Sequence, residues 1–143
     1  MRLSSETLHA STVALEGRAV MISGPSGSGK SDLALRLLDR GFTLVSDDQT
    51  IVRRDGDRLV ASAPPTIKGK LEIRGVGIVE METVTDVPVA LYVELTSEIV
   101  RLPDDRRERP VLGVNLPLIS VDAQTASAAS KVALALDRLG LKF

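Results

Sequence analysis

At 143 residues, 43% hydrophobic, 26% charged and carrying a net charge of −1, the chain fits one soluble globular domain, 1–143, and not two. Phe42, Tyr92 and Phe143 are its only aromatic residues and there is no long basic run, so no nucleic-acid partner is expected. There is no cysteine for a disulfide or a thiolate site, and no apolar run approaches the ~18 residues of a membrane span, so a cytoplasmic protein without a membrane partner is expected.

In chain order, the first expected element is a β-hairpin, Thr12–Leu15 and Ala19–Ser23, turning near Glu16-Gly17. The continuous apolar run Ala19-Val20-Met21-Ile22 reads as a strand buried on both faces. It enters a glycine-rich loop, and a helix is predicted from Lys30 to Arg40, with Leu33/Leu37 and Ala34/Leu38 as i,i+4 pairs and Gly41 beyond its end. A short strand, Phe42–Val45, then leads to Ser46-Asp47-Asp48. Ile51–Arg53 and Leu59–Ala61 flank an Asp-Gly turn and read as a second hairpin. The two glycines in Leu71–Gly77 argue for a turn or loop, and Ile78–Met81 and Val89–Leu95 read as strands. Arg101–Pro110, charged and holding two prolines, reads as an exposed loop; Val111–Val114 and Leu118–Val121 read as short strands. A final helix is expected from Gln124 to Leu139, with Ala126, Ala129, Val132, Ala133, Leu136 and Leu139 on its apolar stripe and Gly140 closing it. The expected fold is α/β: a P-loop core with a mixed sheet, much antiparallel strand and a C-terminal helix.

Residues 24–31 read Gly-Pro-Ser-Gly-Ser-Gly-Lys-Ser, a G-x-x-x-x-G-K-S loop with a strand before it and a helix after it. Gly24, Gly27 and Gly29 let the backbone wrap phosphates closely, and the N–H groups of the loop, including those of Ser26 and Ser28, can face the anion. The helix N-terminus adds unpaired donors and a positive dipole end. Lys30 is a mobile cation for the outer phosphates, and Ser31 can place its hydroxyl on Mg²⁺. Asp47-Asp48 sits at the carboxyl end of the next strand, where open α/β sheets bind ligands. One carboxylate near a metal and one near an acceptor hydroxyl is what phosphoryl transfer requires. Composition alone gives His9 no role, Glu72 and Arg74 could be an ion pair in a loop, and the arginines at 101, 106, 107 and 109 could clamp phosphate or merely solvate a loop.

Four pieces in this order resemble the catalytic domain of the HPr kinase/phosphorylase family: His9, the loop 24–31, Asp47-Asp48, and Leu-Glu-Ile-Arg-Gly-Val-Gly-Ile at 71–78. That family phosphorylates a serine of HPr, the phosphocarrier of the bacterial sugar phosphotransferase system. The resemblance implies an ATP- and Mg²⁺-dependent protein-serine kinase acting on an HPr-like carrier, with reverse phosphorolysis left open. It implies that Lys30 contacts the transferring phosphate, that Ser31 and Glu72 hold Mg²⁺, and that Asp47 acts on a metal-bound water. It implies further that Asp48 takes the proton of the acceptor serine, that His9 orients the site, and that Arg101 stabilises charge on the transferred group. It also implies a homo-oligomer, often a hexamer in the family. Two departures stand out. Pro25 occupies a position acidic in many members, and Asp122–Ala129 lacks the arginine of a Pro-Gly segment tied to the reverse reaction. A small-molecule P-loop kinase and a non-catalytic ATP-sensing regulator are the alternative readings.

Overall fold

The computed structural model of the protein describes residues 4–99 and 107–143. Its central strands are β2 (Ala10–Leu15), β3 (Arg18–Ser23) and β9 (Val87–Leu95), with β4 (Thr43–Ser46) at one edge and β5 (Thr50–Asp55) and β6 (Arg58–Ser62) extending the other side. The other edges are β1 (Ser5–Leu8) and β10 (Arg107–Val111), which pairs with β11 (Val114–Val121). A separate hairpin comprises β7 (Lys70–Ile73) and β8 (Gly77–Glu80). The helices are α1 (Lys30–Leu38) and α2 (Ala128–Leu139).

The sheet runs β1-β5-β6-β9-β3-β2-β4, and β11 also pairs with β9. Strand β9 is the branch point. Its first residues, Val87 and Pro88, pair antiparallel with β6, while Tyr92–Leu95 pairs parallel with β11. On its other side it runs parallel to β3. The sheet is mixed, as expected, because β2 lies antiparallel between β3 and β4.

Buried aliphatic residues divide by the pleat. Val20 and Ile22 of β3 face one way and pack with Leu33 and Leu37 of α1 and Val132 and Leu136 of α2. Ala19 and Met21 face the other way, against Val52, Leu59 and Leu116. This two-sided burial is why β3 reads as an unbroken apolar run.

Several local expectations are corrected. Leu71–Gly77 is not a loop: Leu71↔Val79 and Glu72↔Ile78 are ladder pairs, and only residues 74–76 form the turn. Residues 107–110 are strand rather than loop, since Pro110 lies on an edge strand where a missing N–H is tolerated. Val111–Val114 is not a strand but the reversal between β10 and β11. Leu112 and Gly113 take φ of 49° and 82°, the paired positive values of a two-residue hairpin turn. Helix α2 starts at Ala128, four residues later than expected, because 122–127 is held as a turn by Thr125 N–H to Asp122 O and Ala128 N–H to Thr125 O. Strand β1, unforeseen, is a polar, exposed edge strand recognisable only by its ladder to β5.

Candidate active site

Topology brings the site together at one edge of the sheet. Strand β3 ends there, entering the phosphate loop. Because β2 is antiparallel, it begins there, with Ala10 opposite Ser23. Strand β4 is parallel to β3 through β2 and ends there, with Ser46 opposite Thr12. Strands β9 and β11 end at the same edge, at Leu95 and Val121.

The loop shapes itself largely from within. Ser28 N–H donates to Pro25 O at 3.0 Å, and Gly27 and Gly29 have φ of 80° and 102°. A Cβ on Gly29 would sit 3.0 Å from Ala123 Cβ, so the loop is also packed against the segment before α2. Gly24 is packed as well: a Cβ there would meet Ser28 Oγ at 2.6 Å and Leu95 Cβ at 3.0 Å. Lys30 is buried, and its ammonium donates to the carbonyls of Gly24 at 3.0 Å and Pro25 at 3.3 Å. Ser28 Oγ is buried without a partner among the described residues.

Asp47 is buried and its carboxylate is the hub. Oδ1 accepts from Ser31 Oγ at 2.6 Å and from Ser11 Oγ at 2.9 Å, while Oδ2 accepts the Glu72 N–H at 3.1 Å. Asp48, the next residue, turns outward, and its Oδ1 lies 2.6 Å from His9 Nε2. Both side chains of that pair are at least half exposed, so a macromolecular acceptor has access to them.

The cleft between these elements measures about 680 Å³. The loop contributes Ser26, Gly27, Gly29, Lys30 and Ser31, and the aspartate turn contributes Asp47 and Asp48. The β7 strand and its turn contribute Glu72, Ile73 and Arg74, α1 contributes Asp32 and Leu35, and Gln124 closes one side. The cleft therefore unites five of the expected loop residues, Ser26, Gly27, Gly29, Lys30 and Ser31, with both aspartates and Glu72; Gly24 and Ser28 lie behind its lining, and His9 meets it only through Asp48. Arg101 lies outside the described residues.

Sequence reasoning missed Ser11, Gln124 and Arg36. The Arg36 guanidinium donates to Ala123 O at 2.5 Å and to Thr125 O at 3.2 Å, fixing the segment that carries Gln124. Ser11 had a signal: it and Thr12 are hydroxyls inside an otherwise apolar strand. The buried polar or charged side chains among the described residues are Ser11, Thr12, Lys30, Ser46, Asp47 and Thr50, all in or beside this site. Such groups are stable only when hydrogen-bonded, and concentrating them at one sheet edge marks a built site.

The donor set suits a hard cation. Ser31 Oγ and Asp47 Oδ1 are already adjacent, and the Glu72 carboxylate lines the same cleft. No group of three His, Cys, Asp or Glu side chains forms a metal cage among the described residues. That fits Mg²⁺, which usually takes one or two carboxylates and completes its shell with water and substrate phosphates. Lys30, folded over its own loop and lining the cleft, fits a polyphosphate in the cradle.

Fold and site together define a P-loop protein with an acidic pair beside its phosphate cradle. Residues 2–136 match the family model described as the HPr Serine kinase C-terminal domain, and the chain belongs to that family. It is 36% identical over 129 residues to the HPr kinase/phosphorylase of Prosthecochloris aestuarii, covering 81% of this chain and 38% of that protein. With the HPr kinase/phosphorylase of Limosilactobacillus reuteri it shares 35% identity over 133 residues, covering 84% and 42%. The chain thus spans about two fifths of the length of the curated relatives it matches. Its fold superposes on the Hpr(Ser) kinase/phosphatase from Coxiella burnetii with a TM-score of 0.80 at 26% identity, covering 92% of this chain and 94% of that one. No described helix is long and apolar enough to cross a membrane.

Proposed function

We propose that residues 1–143 form one catalytic domain of a cytoplasmic protein-serine kinase, which moves the terminal phosphoryl group of ATP to a serine of an HPr-like phosphocarrier. The observation that carries this reading is the His9–Asp48 pair, half exposed beside the buried Asp47–Ser31 contact at the mouth of the phosphate loop.

The acceptor serine oxygen attacks the terminal phosphorus. Its proton passes to a carboxylate oxygen of Asp48, the serine O–P bond forms, and the bond from that phosphorus to the bridging oxygen breaks, its electron pair leaving on ADP. Asp48 suits the step because it is exposed and is oriented by His9. Lys30 and the N–H groups of Gly27, Gly29, Lys30 and Ser31 bind and neutralise the phosphates, so most of the rate comes from positioning and charge stabilisation. Mg²⁺, when bound, would neutralise phosphate charge, and Ser31, Asp47 and Glu72 are the residues that would hold it. In reverse, Asp48 would return the proton. A homo-oligomer belongs to the same reading.

The test is intact-mass spectrometry after incubation with MgATP and an HPr protein from the same cell. A phosphate-sized increase on a serine, reduced roughly a hundredfold or more in Lys30→Ala, is expected. A small-molecule acceptor turned over faster than HPr, or ATP binding with no transfer, would overturn it.

A further inference from the structure

Asp48 occupies an unusual backbone conformation. Its φ is 64°, and the N–H of Gln49 donates to Asp47 O at 2.7 Å across it. That is a γ-turn centred on a residue with positive φ, a rare and strained form. Such strain persists only where surrounding bonds over-determine it. One tether is local: Ser46 Oγ donates to Gln49 O. Another comes from a different strand: Ser11 Oγ, 3.1 Å from Asp48 N, accepts that N–H.

The Ser11 hydroxyl also spends its single proton on Asp47 Oδ1, at 2.9 Å. One fully buried side chain thus holds Asp48 through its backbone and Asp47 through its carboxylate. His9, in the bend between β1 and β2 two residues before Ser11, takes the Asp48 carboxylate. Adjacent residues of similar chemistry are thereby sent to different tasks, Asp47 inward to Ser31 and Asp48 outward to the acceptor.

We propose that Ser11 is the positioning residue of the aspartate pair, holding the strained turn that presents the Asp48 carboxylate. The kinetic part of this inference rests on the kinase reading above; the structural part does not.

Ser11→Val and Ser11→Thr separate the roles, since they match in shape and differ in the hydroxyl. Ser11→Val is expected to lower kcat for transfer roughly tenfold or more with the Kd for ADP within about twofold, and Ser11→Thr to recover most of the rate. His9 is the only histidine, so its imidazole ¹⁵N resonances report the Asp48 contact without any transfer assay. They should move in Ser11→Val towards their positions in Asp48→Asn and stay near wild type in Ser11→Thr. Unmoved His9 resonances in folded Ser11→Val, or wild-type kcat there, would overturn the proposal. An equal loss in both variants would also overturn it, because packing rather than the hydroxyl would then be at work. If the wild type transfers nothing to HPr, the kinase reading fails and the resonances alone decide the role of Ser11.

Discussion

The phosphate loop at residues 24–31 draws its shape mainly from its own neighbours. Ser28 N–H bonds to Pro25 O, Lys30 folds onto Gly24 and Pro25, and the positive φ values fall on glycines. The aspartate turn at residues 46–50 is held differently. Its positive φ falls on Asp48, a non-glycine residue, and side chains from β2 and the residue before it, 36–39 positions away, hold it in place together with the Ala10 carbonyl. A loop built from local backbone binds whatever fits its N–H groups. A turn held by remote hydroxyls can aim a carboxylate at one point. In this molecule the first arrangement suits phosphate binding and the second suits proton transfer.

The comparison breaks most visibly at Asp48. Asp48→Asn should lower transfer by about 10²–10⁴ while leaving ADP affinity within about twofold, as steady-state rates and calorimetry would report. Transfer near the wild-type rate would remove Asp48 as proton acceptor. Gly29→Ala probes the loop. At φ 102° and with Ala123 Cβ 3.0 Å away, an added methyl should cost about 1–2 kcal/mol in thermal unfolding and weaken ADP binding. Retained affinity would mean the loop does not depend on its glycine geometry. The smallest change expected is in Thr50→Val. Thr50 Oγ1 donates to Ala10 O at 2.9 Å and lies 2.8 Å from Thr12 Oγ1, tying the end of the turn to β2. Losing that hydroxyl should cost about 1 kcal/mol in urea unfolding and reduce transfer more than ADP binding. A reversed ratio would show that the two halves of the site are not separable in this way.

Legibility followed the same division. The loop, its flanking strand and helix, and an acidic pair at a strand end were readable because each is a pattern of near neighbours: a run of apolar residues, glycines before a lysine, leucines at i,i+4. The mixed sheet was legible in kind. Strand β1 was not, since Ser-Glu-Thr-Leu buries little and exists through its ladder to β5. The β7–β8 hairpin was hidden because Gly75 and Gly77, with φ of 85° and 114°, read as loop signals although Gly77 opens β8. Glu72 and Gln124 reach the cleft only because that hairpin and the segment before α2 fold over it.

The sequence by itself determined the phosphate cradle, the aliphatic core of an α/β domain and the presence of two adjacent carboxylates. Tertiary structure alone decided which carboxylate is buried on Ser31 and which is exposed on His9. That choice depends on β2 lying antiparallel between β3 and β4, which places Ser11 and His9 beside the aspartate turn. Strand order and register arise from contacts summed over the whole sheet, and no window of near neighbours contains them.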